Sequence, residues 1–477
     1  MNSFYQQLIL EFNQNKTFRR ICLLSLFFSI IFWSLSIFRH YLLHSNAYDL
    51  GLFDQWIWLA SRGLPPYSTM TGLHLFADHG AWTLFLASLI YKFFPSLNIL
   101  LLSQSLALCC TTIPLWFLCK NEEINDKNSF LISICWLLQP VVFNINLFDF
   151  HPEVWAMPMI VIFYLFEKNS NFKMCLLTAF LIIGTRDGLV LLIFGMGIEQ
   201  VLKKKYNFSF CLISLSILWF LFLNNFAYPL LNGDKGTVMA LSRYSSYGSS
   251  FSEIVFNLLS KPSLLISNVD WEGSIFYLLI LFIPVFFLFN KLNLTNLLAT
   301  VPLIITNILS ENSAQRDLVH QYSLPISLII IISLINGFNN NAFSIRSKYI
   351  YAWLIVCWAA LAKPWFFTGP YLDRITLINS SKEAFSLIDK TSNILTTSYL
   401  VPHLSQRQFI KFPNDEKSVQ KDLKEYDIIL LNPLDPGWGS SSNIQLKYLE
   451  KAKAGNWECK KWKNGQEFCK KKKLFNN

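Results

Sequence analysis

Acidic side chains gather directly after the first apolar segment of the chain. The stretch 48–55 reads YDLGLFDQ and carries two carboxylates, and 77–79 reads ADH, which adds a third carboxylate beside an imidazole. Such groups transfer protons or bind cations, and they are costly at membrane depth. We therefore predict that Asp49, Asp54, Asp78 and His79 mark the chemical centre of the molecule.

Further connections between apolar segments also carry acids, bases or guanidinium groups. The stretch 148–153 reads FDFHPE, in which Asp149, His151 and Glu153 alternate with other residues. In an extended strand these three would share one face, and their side chains suit a divalent metal such as Mg²⁺ or Mn²⁺. Later connections contribute Arg186 and Asp187, then Arg243, and finally Arg316, His320 and Tyr322.

The elements that position these clusters are membrane helices by composition. The 477 residues are 53% hydrophobic and only 15% charged, with a mean hydropathy of +0.37, whereas soluble domains average about 25% charged residues. We predict about eleven transmembrane helices, plus an interfacial helix at 81–94. The spans are expected at 21–38, 97–119, 128–147, 154–167, 174–184, 188–202, 207–223, 274–290, 294–309, 321–337 and 349–366.

Basic residues in the short loops predict the orientation. The loops assigned to the cytoplasm hold Lys16, Arg19, Arg20, Lys120, Lys127, Lys168, Lys173, Lys203, Lys204, Lys205, Lys291, Arg346 and Lys348. The N-terminus is then cytoplasmic, and an odd number of spans leaves the C-terminal part outside a bacterial inner membrane. Because the net charge of +10 lies largely in loops and tail, it does not indicate nucleic-acid binding.

Each cluster also has a purely structural interpretation. Asp49, Asp54 and Asp78 all stand where an aspartate can cap a helix. Pro152 makes the stretch 148–153 equally a helix start, with Glu153 favoured by the helix dipole. The pair at 186–187 is consistent with a local ion pair, and the other arginines with lipid headgroup contacts. The placement of all these clusters on one predicted side of the membrane favours a site.

The chain changes character near residue 370. Runs of strand length occur at 392–397, 408–412 and 427–431, helical patterns at 399–407, 416–426 and 448–454, and a hairpin pattern at 457–469. We predict a transmembrane domain at 1–369 and a small extracytoplasmic α/β domain at 370–477. Cys459 and Cys469 fall on adjacent strands of the hairpin, where they form a disulfide in an oxidising compartment or remain two free thiols.

The motifs together resemble the membrane-protein family called domain of unknown function 2079, whose members are grouped with the C-type glycosyltransferases. The resemblance rests on YDLGLFDQ, Asp-His before an apolar helix, DFHPE, the pair at 186–187 and His-x-Tyr-Ser at 320–323, and it covers about 40 to 340. The motif VPHLSQR at 401–407 resembles the outer domain of the family. This chain has Arg186-Asp187 where the family has a Lys-Glu-Asp type of triplet, so only Asp187 matches there.

This resemblance implies a C-type fold and a reaction in which a sugar leaves a polyprenyl-phosphate carrier. The acceptor hydroxyl loses a proton as it attacks the anomeric carbon, and the departing lipid phosphate needs charge stabilisation. By resemblance, Asp49 is the catalytic base, while Asp54, Asp78 and His79 support it or bind metal. The implied substrate-binding residues are Arg186, Asp187, Arg243, Arg316, His320 and Tyr322. The implied partners are the lipid-linked sugar, membrane lipids, and an envelope glycan, lipid or protein as acceptor, with no nucleic acid.

Two other classes of function compete with the enzyme. A lipid or sugar transporter, or a flippase, would place polar groups near the bilayer midplane in two related halves, and the sequence has neither an internal repeat nor charges in mid-span. A receptor or scaffold would use the outer α/β domain to bind a partner, through Trp438 and Gly439 or the basic run at 470–473. The sequence favours the glycosyltransferase.

Overall fold

A computed structural model of the chain describes residues 2–233, 239–289, 294–338, 347–414 and 423–472. The chain divides into two compact units whose segments alternate along the sequence. The first, called unit 1, consists of Met1–Trp33, Phe76–Thr83 and Leu102–Pro364. The second, called unit 2, consists of Ser34–Leu75, Leu84–Leu101 and Trp365–Asn477. The expected division at 369/370 stays a prediction about domain organisation.

Unit 1 is built from helices. Asn125 caps the first of a bent pair by accepting a hydrogen bond from the backbone N–H of Asn128. Pro140 begins the second of the pair, and the two helices meet at 41°. The helices that lie wholly in unit 1 are Asn2–Gln14, Phe76–His79, Thr112–Asn121, Asp126–Leu137, Pro140–Leu147, Ala156–Lys168, Phe172–Ile183, Val190–Leu202, Tyr206–Phe222, Tyr228–Asn232, Phe251–Ser260, Ser263–Asn268, Trp271–Phe282, Leu294–Leu297, Val301–Leu309, Leu324–Phe338 and Ser347–Leu361.

Close backbone packing is visible between two of these elements. A side chain at Gly195, in helix Val190–Leu202, would clash with the carbonyl oxygen of Ala299. Small residues allow membrane helices to approach closely, since packing rather than water exclusion holds them together. Gly195 therefore permits a contact that any larger residue would prevent.

Four helices in the described part of the chain are long and apolar enough to cross a membrane, or five if the bent pair counts as one span. They are Lys16–Tyr41, Leu97–Asn121, Tyr206–Asn232 and Gln321–Phe338. Several other predicted spans form apolar helices of 10–17 residues, such as Phe172–Ile183 and Ser347–Leu361. The chain is an integral membrane protein with several apolar helices, and the number of eleven spans stays a prediction.

Unit 2 contains a five-stranded sheet. Its strands are β1 (Ile394–Thr396), β2 (Ile410–Lys411), β3 (Ile428–Leu431), β4 (Trp457–Lys461) and β5 (Glu467–Lys471). The order is β2-β1-β3-β5-β4, with β1 parallel to β2 and β3, and β5 antiparallel to β3 and β4. The helices lying wholly in unit 2 are Leu52–Ser61, Leu84–Tyr91, Ile378–Ser386, Val401–Leu404 and Ser442–Ala454.

The predicted hairpin and its disulfide are confirmed. Cys459 lies opposite Cys469 in the register of β4 and β5, and the two sulfurs are bonded. The three predicted runs of strand length each contain a strand, because continuous apolar residues suit a sheet covered on both faces. Most of the helix expected at 416–426 lies outside the described residues, and Leu423–Glu425 forms one 3-10 turn.

Candidate functional site

Asp49 lies in a short turn of unit 2 that follows the end of helix Lys16–Tyr41. Asn46 starts this turn, Ala47–Gly51, with its side-chain oxygen 2.8 Å from the backbone nitrogen of Ala47. Asp49 itself is half-buried, and the peptide bond before it is cis. Asp49 thus lies in a capped turn, and the residue as a whole is only partly buried.

Aromatic side chains surround the residue that precedes Asp49. The ring of Tyr48 meets Phe412 at 5.3 Å and Trp438 at 5.2 Å, both edge-on. Phe412 directly follows β2, and Trp438 lies in the loop after β3. The segment that carries Tyr48 and Asp49 therefore packs on the carboxyl end of the parallel strands.

Asp54 occupies a different environment from Asp49, although both were predicted as catalytic. It is fully buried, and its carboxylate accepts hydrogen bonds from Tyr91 at 2.9 Å, Ser405 at 2.6 Å and Gln406 at 3.2 Å. Burial raises the pKa of Asp54 to about 6, although the three hydrogen bonds partly oppose this rise. These contacts describe a carboxylate that joins parts of unit 2 rather than one open to a substrate.

Asp187 is the centre of a polar network in unit 1. Its carboxylate accepts a hydrogen bond of 2.9 Å from the hydroxyl of Tyr228, and one of 2.8 Å from the backbone of Gly188. A side-chain carbon on Gly80 would lie 3.4 Å from Cβ of Asp187, so the loop after Asp78 passes beside it. Burial raises the pKa of Asp187, while the charge of Arg186 works in the opposite direction.

Asp78 and His79 belong to the same network. They form the end of the short helix Phe76–His79, with 3.2 Å between the imidazole and the carboxylate. The helix that carries Tyr228 is linked to them by a hydrogen bond of 2.7 Å from the amide of Asn232 to the carbonyl oxygen of Ala77. Sequence reasoning missed Tyr228, because it falls between the spans expected at 207–223 and 274–290.

The guanidinium groups of Arg186 and Arg243 both lie near the ring of Tyr322. The guanidinium of Arg186 pairs with Glu153 at 2.5 Å and lies 5.9 Å from the ring centre of Tyr322. Arg243 lies 5.3 Å from the same ring and donates to its hydroxyl at 2.8 Å. Among the described residues no carboxylate pairs with Arg243, so its positive charge is available to an anion.

Arg316 and His320 are engaged in more local contacts. Arg316 pairs with Asp270 at 3.1 Å and donates to the carbonyl oxygens of Asn307 and Ser310, near the end of helix Val301–Leu309. His320 lies 2.7 Å from the carboxylate of Asp317. Arg316 therefore stabilises a helix end, which makes it a weaker candidate for a ligand contact than Arg243.

The metal site expected from Asp149, His151 and Glu153 is not formed. Within the described ranges, no three side chains of His, Cys, Asp or Glu are grouped closely enough to hold a metal ion. The backbone is not an extended strand here, because Asp149 has left-handed backbone with φ of 82°. Gln104 donates to the carbonyl oxygen of Asp149 and accepts from the N–H of His151. Pro152 then starts a 3-10 turn, which directs Glu153 to Arg186.

The structure thus gathers many of the predicted residues into unit 1 and two of them into unit 2. Unit 1 brings together Asp78, His79, Glu153, Arg186, Asp187, Arg243 and Tyr322, linked in part through Tyr228. Unit 2 holds Asp49 and Asp54. Chemically, the first group offers cations and hydroxyls to an anion, and the second offers a partly open carboxylate.

Comparison with known proteins gives a family and a fold. The model of a family described as "Predicted membrane protein (DUF2079)" matches residues 39–468. No curated protein matches the sequence. The crystal structure of ArnT from Cupriavidus metallidurans bound to undecaprenyl phosphate is similar, with a TM-score of 0.55 and 9% identity over 94% of this chain and 97% of that chain. The apo state of ArnT gives a TM-score of 0.48, at 9% identity over 92% and 97% of the two chains.

Proposed function

The chain belongs to the domain of unknown function 2079 family of membrane proteins, and from this premise we propose that it is an integral-membrane glycosyltransferase. It would move a sugar from a polyprenyl-phosphate carrier to an acceptor on the extracytoplasmic side of the bacterial inner membrane. The observation that carries the proposal is the fold, which follows that of a protein holding undecaprenyl phosphate over 94% of this chain.

Asp49 is our candidate for the general base. It is the half-buried carboxylate of the first outer segment, whereas Asp54 is fully buried and its oxygens are occupied by three donors. A base must reach the acceptor hydroxyl, directly or through one water molecule, to take its proton. The aromatic ring of Tyr48, packed on Phe412 and Trp438, limits the water around this segment.

Arg243 is our candidate for the contact with the lipid phosphate. A guanidinium matches the geometry of a phosphate, and the charge-assisted bonds between them are among the stronger hydrogen bonds in proteins. Arg243 is held by the hydroxyl of Tyr322 and is not neutralised by a carboxylate in the described part of the chain. Arg186 lies near the same tyrosine and would add a positive charge that is partly neutralised by Glu153.

The proposal is tested by following lipid-linked sugars in cells. A strain that lacks the protein should accumulate one undecaprenyl-phosphate-linked sugar, measured by mass spectrometry of lipid extracts. Restoring the wild-type gene, or supplying Asp54→Asn, should remove the accumulated lipid-linked sugar. Asp54→Asn also tests whether the protein folds without this buried carboxylate. Asp49→Asn preserves the shape of the side chain but removes its basicity. The rate of sugar transfer by this variant should therefore fall by about 10²–10⁴-fold, the usual contribution of a general base.

Three results would count against the proposal at different levels. If no lipid-linked sugar changes in the deletion strain, the enzyme is not a glycosyltransferase of this kind. If Asp49→Asn restores normal levels, another residue is the base. If Asp54→Asn reaches the membrane in normal amount but is inactive, while Asp49→Asn remains active, the roles of the two aspartates must be exchanged.

A further inference from the structure

A cavity of about 430 Å³ lies in unit 1 where two tight helix–helix turns meet. One turn joins helix Ala156–Lys168 to Phe172–Ile183, and the other joins Val190–Leu202 to Tyr206–Phe222. Each turn contains a residue with left-handed backbone that lines the cavity, Ser170 with φ of 53° and Lys204 with φ of 58°. The cavity holds none of the residues discussed as candidate catalytic or substrate-binding groups.

A balanced network of charges begins at Glu167 and Lys205, which line this cavity, and continues to Lys203 and Glu199 beside it. Glu167 pairs with Lys205 at 2.5 Å and with Lys203 at 3.4 Å, and Lys203 pairs with Glu199 at 2.8 Å. Two carboxylates therefore offset two ammonium groups. These ion pairs hold the two turns together and neutralise the charges of Lys203 and Lys205.

Lys204 adds a positive charge that this network does not balance. It is exposed, it lines the cavity, and no carboxylate of the described residues pairs with it. Ser170 and Asn207 line the same cavity and offer a hydroxyl and an amide. A cation next to small hydrogen-bonding groups is the arrangement that receives a phosphate ester.

The surroundings of the cavity match the headgroup layer of a bilayer. Tyr206 at its rim is 62% exposed, and Phe172 packs on the buried ring of Phe208 at 4.4 Å. Phe210 is 71% exposed on the helix that leads away from the cavity. Lysines and aromatic rings at helix ends are typical of the membrane–water interface, with exposed apolar side chains beyond them facing acyl chains.

We propose that this cavity binds the phosphate of an anionic phospholipid headgroup through Lys204, with an acyl chain lying along the exposed apolar side chains next to it. A soluble anion would use the cation but would gain nothing from Phe172 and Phe210. Basic pockets between membrane helices bind anionic headgroups, and each lysine near the membrane surface adds about 1 kcal/mol of attraction. This free energy corresponds to about a fivefold change in affinity.

The test uses the full chain in detergent, with phosphatidylglycerol and phosphatidylcholine as probes and native mass spectrometry as the readout. The variant is Lys204→Asn, since asparagine tolerates left-handed backbone and lacks the ammonium group. The matched control is Lys173→Asn, which removes the same charge from an exposed lysine at the start of Phe172–Ile183 that does not line the cavity. Neither variant touches the proposed catalytic residues, so the result is independent of the proposed function.

Lys204→Asn should weaken phosphatidylglycerol binding about fivefold, while Lys173→Asn leaves it unchanged and neither variant changes phosphatidylcholine binding. An unfolding temperature in phosphatidylcholine that matches the wild type will show that the turn is intact. Equal losses in both variants would reveal general surface attraction and overturn the proposal. So would unchanged binding in both, or displacement of phosphatidylglycerol by millimolar inorganic phosphate, which would identify a site for soluble anions.

Discussion

The hydroxyl of Ser405 donates a hydrogen bond of 2.6 Å to the carboxylate of Asp54, although the two residues are separated by 351 positions in the sequence. Tyr91 donates to the same carboxylate from a third segment of the chain. One buried acid thus joins the helix after Asp49, the helix Leu84–Tyr91 and the loop after Val401–Leu404. The position of Asp49 depends on this junction.

Asp54 should make the stability of the protein depend on pH. Because burial raises its pKa from 3.8 to about 6, the folded state holds the proton more tightly than the unfolded state. This stabilisation is complete below about pH 4 and is lost as the pH rises through about 6, a change of about 3 kcal/mol. Asp54→Asn cannot titrate, so its unfolding temperature should lack this fall between pH 4.5 and 7.5.

The pH dependence of stability must be compared between the variant and the wild type, because the titration of His403 changes stability in the opposite direction. Burial lowers the pKa of His403 to about 4, so its contribution to stability is lost as the pH falls. This histidine is present in both proteins and cancels in the difference. Identical pH profiles for Asp54→Asn and wild type would show that Asp54 does not titrate in this range.

Gly51 should be intolerant of a side chain because of one neighbour. A methyl group there would place its carbon 2.8 Å from Cγ1 of Val401, although the backbone of Gly51 is helical. Gly51→Ala should therefore lower the free energy of unfolding by about 1–3 kcal/mol through overpacking. Adding Val401→Ala should recover part of this loss, and a strictly additive double variant would refute the contact.

Arg243 and Arg316 should respond differently to substitution. Arg243→Ala should weaken the binding of undecaprenyl phosphate by about 10–100-fold, the value of a hydrogen bond to a charged group, with little effect on stability. Arg316→Ala should mainly lower stability, because the carbonyls of Asn307 and Ser310 lose their donor. Lipid binding and thermal unfolding of both variants check this, and normal lipid binding by Arg243→Ala would exclude its proposed role.

Arg374 should be required for the folding of unit 2. It makes a two-fold contact with Asp435 at 2.6 and 3.2 Å, donates to the carbonyl oxygen of Leu43 at 2.9 Å, and lies 4.0 Å from the ring centre of Tyr399. Lysine keeps the charge but not the planar fork, so Arg374→Lys should lose about 1–3 kcal/mol of stability. Asp389, exposed and paired only loosely with Lys470 at 3.6 Å, gives the control Asp389→Asn, which should leave stability unchanged.

Local signals made the sheet predictable. The strands β1 and β3 appear as short apolar runs, and the hairpin of β4 and β5 has Asn464-Gly465 at its turn. The pairing of Cys459 with Cys469 followed from that hairpin. Each of these features depends on residues close together in the sequence, where periodicity and turn chemistry carry the information.

Features set by distant partners could not be predicted. Nothing near Asp54 indicates that Ser405 and Gln406 will bury it, so it was expected to support Asp49 or to bind a metal. Likewise, the metal pattern at 149–153 required an extended strand, and the left-handed backbone of Asp149 interrupts it. No span was expected between 223 and 274, but Tyr206–Asn232 continues past Pro229, and two further helices follow at Phe251–Ser260 and Ser263–Asn268.

The alternation of segments in unit 2 also sets the time at which Asp54 can be buried. A ribosome that adds about 5–20 residues per second needs roughly 20–70 s to pass from Asp54 to Ser405. Throughout that interval the carboxylate lacks two of its three donors, and it stays hydrated and charged. The segment that carries Asp49 is therefore assembled late in biosynthesis, after most of the apolar helices have been made, and a chain stopped before Ser405 would hold no ordered carboxylate at this position.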